Sequence, residues 1–91
     1  MEGKTWKESN LITTPTGFWR NINALAFSPD GKILLSGSDD FQLRLWNVEI
    51  NTLLVTLKAH TSPINSVTFS PNGKYILSGA SEGIIRLWGL P

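Results

Sequence analysis

The chain of 91 residues contains no cysteine and only one histidine, one methionine and one tyrosine. Without thiols there are no disulfide staples, no thiolate zinc site and no thiol nucleophile, and cysteine usage leaves the redox compartment open. A single imidazole, His60, with no second His or Cys beside it, cannot assemble a His/Cys metal set, so no metal and no cofactor is expected. Charge of one sign is also lacking: eight Lys and Arg face seven Asp and Glu, a net charge of +1. That balance sustains no field to attract nucleic acid or an anionic membrane, and neither is expected as a partner. No apolar run approaches the roughly 20 residues of a membrane span. The opening MEGKTWKESN mixes charges and lacks the apolar stretch of a signal peptide. A soluble, cytoplasmic protein is the expectation. At this length a domain buries only about 60% of its unfolded surface, so its core is thin.

What is present is a repeat. Sliding the chain by 42 residues lays INALAFSPDGKILLSGSDDFQLRLWNV (Ile22 to Val48) over INSVTFSPNGKYILSGASEGIIRLWGL (Ile64 to Leu90) without a gap, with 13 of 27 positions identical. The identities fall on a turn (Phe27-Ser28-Pro29 and Phe69-Ser70-Pro71, each followed by Gly-Lys), on a Ser-Gly step (Ser36-Gly37, Ser78-Gly79) and on Arg-Leu-Trp. A period between 20 and 50 residues decides the fold before any local reading does. Each unit predicts three short strands rich in Ile, Leu, Val and aromatics: 22–27, 33–37 and 42–46, then 64–69, 75–79 and 84–88. SPDG and SPNG predict hairpin turns, with Pro where φ near −65° is wanted and Gly where a left-handed residue is needed. LLVTLK (53–58) predicts a further strand, and the same shift places it on LITTPT (11–16), where Pro15 argues for an outermost position. The chain divides into a tail, 1–10, and a segment, 11–91, that runs outer strand, three strands, outer strand, three strands. No helical apolar period of useful length occurs.

Period, strand order and the Trp near the end of each unit resemble the WD-repeat β-propeller family, over about residues 11–91. The resemblance implies an all-β fold of two four-stranded antiparallel blades. Each unit of that family supplies the outer strand of one blade and the inner three of the next, the order read above. The family's structural hydrogen-bond tetrad joins the His of Gly-His, an acid in the turn before the third strand, a Ser or Thr on the second strand and the Trp on the third. The matching positions are His60, Glu82, Ser78 and Trp88 in blade two, and Phe18, Asp40, Ser36 and Trp46 in blade one. Two departures stand out. Glu82 replaces the usual Asp, and Phe18 cannot donate to Asp40, which leaves Asp40 to cap its own turn and accept from Ser36. Trp-Asp itself has become Trp46-Asn47 and Trp88-Gly89.

Catalytic readings of the same residues are weaker. His60 as a metal ligand or general base lacks partners. Asp39-Asp40 and Glu82 are equivalent positions of separate blades, each tied to its own turn, and do not make a carboxylate pair. FSPDGK and SGSDD do not open a helix as a phosphate loop would. No catalytic residue is expected, and the chain reads as no enzyme. Arg44 and Arg86 hold equivalent third-strand places and are expected to stack on or pair with neighbouring blades rather than form a basic ring. Trp19 and Arg20, residue types enriched at interaction hot spots, stand where the second unit has Thr61 and Ser62.

Both faces of a propeller blade expect cover, and Ile76-Leu77 and Ile84-Ile85 place apolar residues on both. Two blades leave one such face bare at each end. The last blade has no outer strand of its own and 11–16 has no inner strands before it, so the expectation is a head-to-tail homo-oligomer in which the N-terminal strand of one copy completes the last blade of the next. Propellers have four to eight blades, so four chains making eight blades are expected ahead of three making six. The functional expectation is a protein-interaction scaffold whose ring offers Trp19, Arg20, Asp39, Phe41, Thr61, Ser62 and Ser81 to peptide or protein partners. The competing readings are a purely structural self-assembling module and the C-terminal fragment of a longer propeller.

Overall fold

A computed structural model describes residues 5–9, 11–12 and 21–89. Among the described residues seven strands follow one another: β1 Ile22–Phe27, β2 Ile33–Ser38, β3 Gln42–Asn47, β4 Thr52–Lys58, β5 Ile64–Phe69, β6 Tyr75–Ala80 and β7 Ile85–Gly89. They form two antiparallel sheets, one in the order β1-β2-β3-β4 and one in the order β5-β6-β7. Among the described residues there is no helix, and none long and apolar enough to cross a membrane. The fold is therefore all-β, with two blade-like sheets. The strand expected over 84–88 runs over Ile85–Gly89, with Ile84 between it and the turn at 81–83. The second sheet has three strands among the described residues rather than four. Of the outer strand expected over 11–16, residues 13–16 lie outside the described residues, and Leu11 and Ile12 carry no strand pairing.

The turns explain the pairing. In the first, Asp30 accepts from the Ser28 hydroxyl (2.6 Å) and from Lys32 N (3.0 Å), while Gly31 takes φ +76°. Ser28 Oγ in turn accepts from Ile33 N at 3.0 Å. The second turn repeats this with Asn72, Ser70, Lys74 and Tyr75, and Gly73 takes φ +74°. A left-handed residue at the fourth turn position, where Gly31 N donates to Ser28 O and Gly73 N to Ser70 O, brings β2 back on β1, and β6 back on β5, in register. The Ser28 hydrogen bond, helped by Lys32 N, also holds the Asp30 carboxyl below its ordinary range.

Alternation along the strands sorts side chains between two faces. Leu35, Gly37 and Leu43 of the first sheet face the second, which lays Ile64, Val67, Phe69 and Ile76 against them. Leu35, Leu43 and Ile64 are wholly buried, and with Ala59 and Ile76 they form the core, which therefore sits between the sheets rather than within either. Close approach depends on Gly37: a Cβ there would stand 2.5 Å from Ile64 Cγ2, so only glycine lets the isoleucine seat. Asn23 ties the rim of this junction by donating to the Ile64 carbonyl at 3.0 Å and to Asp39 at 2.6 Å.

Candidate functional site

Trp88 stands opposite Ile76 on β6, so Ser78, two residues along, is its diagonal neighbour on the same face. The donors can be assigned by elimination. A carboxylate only accepts, so His60 Nδ1 donates to Glu82; an indole only donates, so Trp88 Nε1 gives to Ser78 Oγ at 3.5 Å. The serine hydroxyl then donates to His60 Nε2 at 2.8 Å. The result is one directed chain, Trp88 to Ser78 to His60 to Glu82, crossing from the third strand to the loop before β5. Glu82 has a second carboxylate oxygen, and the extra methylene that distinguishes it from Asp carries that oxygen to Thr61 N (2.9 Å) and Thr61 Oγ1 (2.5 Å). The two hydrogen bonds from Thr61 foremost, with His60 contributing less, hold the Glu82 carboxyl below its ordinary value against the opposing effect of burial.

The first sheet wires the equivalent residues differently. Trp46 Nε1 donates to Ser36 Oγ at 3.1 Å, and the Ser36 hydroxyl donates to the Arg44 carbonyl at 3.5 Å. Contrary to the expectation from the sequence, Asp40 accepts not from Ser36 but from Ser38 and from the Arg44 guanidinium, the latter at 2.5 Å; as expected it caps its own turn, at Gln42 N (3.2 Å). The reason is register: Ser36 faces Arg44 across the ladder, two residues further from the turn than Ser38. Arg44, expected to stack on or pair with a neighbouring blade, has partners within its own sheet. It is buried and paired to Asp40 within its own hairpin, and its other guanidinium nitrogen donates to Ser38 at 3.2 Å. Burial pushes the Asp40 carboxyl up, but the bonds from Arg44 and Ser38 outweigh it and the net direction is down. Arg86, the counterpart of Arg44, is exposed. Ser38 is the residue sequence reasoning missed, and with it the pairing of Arg44 to Asp40; the signal was Ser38 replacing Ala80 in the one unit whose His position holds Phe18.

Of the residues expected to meet a partner, Trp19 and Arg20, like Phe18 of the first tetrad, lie outside the described residues. The structure brings the other five to one rim. Asp39 N donates to Asn21 O at 2.9 Å, Phe41 O accepts from His60 N at 3.1 Å, Ser62 Oγ accepts from Glu82 N at 2.7 Å and Ser81 N donates to Pro63 O at 3.1 Å. Thr61 joins through Glu82. Phe41 is the unusual member: it holds φ +73° where the second sheet has Gly83 at +86°, and its ring is 40% exposed. A bulky residue in that region carries a backbone strain of roughly 1–3 kcal/mol. No cluster of three or more potential metal-ligating side chains occurs among the described residues. An apolar cleft of about 270 Å³ opens between the sheets at the opposite, outer side, lined by Leu45, Val55, Leu57, Phe69 and Trp88 among others.

Comparison with known proteins agrees with this architecture. The family profile described as "WD domain, G-beta repeat" matches residues 9–47 and 51–89. Periodic tryptophan protein 2 of Arabidopsis thaliana is 32% identical over 57 residues, 63% of this chain and 6% of that protein. Nuclear distribution protein PAC1 of Ajellomyces capsulatus is 50% identical over 40 residues, 44% of this chain and 9% of that protein. Nuclear distribution protein nudF 2 of Penicillium rubens is 39% identical over 56 residues, 62% of this chain and 12% of that protein. The chain thus spans about a tenth or less of the length of most of the relatives it matches. With two consecutive profile matches on two blade-like sheets, the chain belongs to the WD-repeat family.

Proposed function

We propose that this chain is a non-catalytic scaffold that presents the rim of Asp39, Phe41, Thr61, Ser62 and Ser81, together with Trp19 and Arg20, to peptide or protein partners. The observation that carries the reading is the rim itself: loop residues tied by backbone and carboxylate hydrogen bonds around a strained, exposed Phe41. Membership of a family built for interaction supports it, although a fold alone does not assign a ligand. Pull-down with the wild-type chain should capture discrete partners that Trp19→Ala, Arg20→Ala or Phe41→Ala releases; an unchanged partner set in all three variants refutes the role of the rim.

The scaffold assembles as four copies making eight blades, with the segment 11–16 of one copy pairing on β7 of the next. Support comes from where the N-terminal segment lies. Ile12 lines a cleft with Phe27, Leu34 and Val48, and Leu11 O accepts from Asn51 Nδ2 at 3.0 Å. Phe27 and Leu34 are the counterparts of Phe69 and Ile76, over which β4 lies. Leu11 and Ile12 thus lie against the first sheet much as β4 lies against the second. Light scattering should return four times the chain mass, and a monomer overturns the assembly. Deleting residues 1–16 should abolish it.

A further inference from the structure

The outward faces at the two ends of the described pair of sheets are copies of the two sides of the junction between them. On the first sheet, Ile22, Leu25 and Phe27 are 43, 59 and 60% exposed. Adding 42 gives Ile64, Val67 and Phe69, the residues the second sheet lays into the core, and Ile64 is 0% exposed. On the second sheet, Leu77, Ile85 and Leu87 are 39, 76 and 64% exposed. Their counterparts are Leu35, Leu43 and Leu45, of which the first two are wholly buried beneath that same layer. Each end therefore carries one half of a junction whose complete form the molecule already contains.

The match extends to the features that give the junction its specificity. The seat for Ile64 is Gly37, and the second sheet repeats that glycine at Gly79, where a Cβ would meet only Ser66 Oγ, at 3.0 Å. The tie across the rim is Asn23, bonded to Asp39 and donating to the Ile64 carbonyl. The second sheet repeats the asparagine at Asn65, which donates to Ser81, the counterpart of Asp39, at 3.1 Å. Seat, tie and knob are the same residue types on both sides: Gly with Gly, Asn with Asn, Ile with Ile.

We propose that the outward face of the second sheet is a docking surface for the first sheet of another copy of this chain, with Ile22 of the incoming copy seated on Gly79 and its carbonyl accepting from Asn65. A face of unspecified hydrophobicity would fit many partners; this one has a glycine seat and an amide placed for a knob that the same chain displays. The contact is heterologous, since the two patches are different surfaces, so it propagates until the rotation between blades closes a ring. Ser66 and Thr68 stand where the internal junction has Ala24 and Ala26, which makes the intermolecular copy the more polar of the two. The inference rests on the self-assembly proposed above and specifies its surface.

The absence of cysteine makes the test clean. At the internal junction the Cβ position of Gly37 lies 3.2 Å from Ile64 Cβ, close to the roughly 3.5–4.5 Å a disulfide spans. A chain carrying Gly37→Cys and Ile64→Cys is thus the intramolecular control. Ile22→Cys and Gly79→Cys chains, mixed and oxidised, should give a mixed dimer at least tenfold in excess of either self-dimer. The double variant should give a ladder that ends at the ring size. Self-dimers forming as readily as the mixed one overturn the proposal. So does an oligomer by light scattering with no 22–79 cross-link, an outcome that leaves self-assembly standing. A monomeric mass with no cross-link overturns both, and points to other WD blades as the cover for these faces. Asn65→Leu, which introduces no thiol, should raise the concentration for half-assembly at least tenfold, and an unchanged value counts against the amide tie.

Discussion

The two sheets are built on the same repeat and neutralise their turn acid in opposite directions. In the second, Glu82 reaches away from its own hairpin, to Thr61 and His60 on the loop before β5. In the first, Asp40 turns back into its own hairpin and pairs with Arg44 and Ser38. The common element is the Trp-to-Ser bond on the third and second strands, present in both. What a blade of this kind needs at its turn is a carboxylate held ionised by donors; which donors supply that is negotiable. A His in the preceding loop is one solution and an Arg four residues on is another. The carboxylate length follows the choice, since the longer Glu is the one that spans to a different loop.

The comparison breaks most sharply at Arg44. Replacing it by Leu leaves Asp40 partly buried with its strongest donor gone, and about 3–5 kcal/mol of unfolding free energy should be lost in denaturant titration. Arg86→Leu, on the exposed counterpart, should stay within about 0.5 kcal/mol. Next comes the junction. Gly37→Ala drives a Cβ against Ile64 and should cost about 1–3 kcal/mol, whereas Gly79→Ala, assayed at a concentration where the chain is unassembled, should be close to neutral. Converting the second sheet toward the first with His60→Phe removes the bonds to both Ser78 and Glu82 and should cost about 1–3 kcal/mol.

Acid should act on both sheets at once. The folded carboxyls of Asp40 and Glu82 lie below their ordinary values of 3.8 and 4.5, so each contributes stability that is complete above those values and is lost as pH falls through the folded ones. The thermal midpoint should therefore be flat from pH 7 to about 5 and fall below about pH 4. Asp40→Asn or Glu82→Gln should each flatten part of that fall, and a fall unchanged in both variants would detach the acid response from these turns. The smallest effect is at Phe41. Phe41→Gly relieves a left-handed backbone that glycine adopts freely and should raise stability by at most about 1 kcal/mol, with partner capture, not folding, as the property lost.

Much of this architecture was legible in the chain before its structure. Six strand positions follow from the 42-residue shift and from SPDG and SPNG, because a turn that demands a left-handed glycine fixes where the chain reverses whatever surrounds it. The Trp–Ser bond is equally local, set by residues that fall diagonally across one hairpin. The wiring of Asp40 was not legible. Ser36 and Ser38 both lie on the outward face of β2 and both are near the turn in sequence; only the register of β2 on β3 decides that Ser38, not Ser36, meets the carboxylate. The pairing of Arg44 with Asp40 and Ser38 was not legible for the same reason, since a strand position does not say whether a long side chain turns along its own hairpin or away from it.

The sequence by itself thus determined the period, the all-β character, the hairpin turns and the membership of the WD-repeat family, all of which depend on interactions within about 15 residues of chain or on simple self-similarity. Tertiary structure alone decided which face of each sheet is covered. Leu43 and Ile85 occupy the same position of the same repeat, yet one is wholly buried and the other 76% exposed. Nothing in either residue distinguishes them; the difference is that a second sheet stands in front of the first, and burial is a property of what lies opposite.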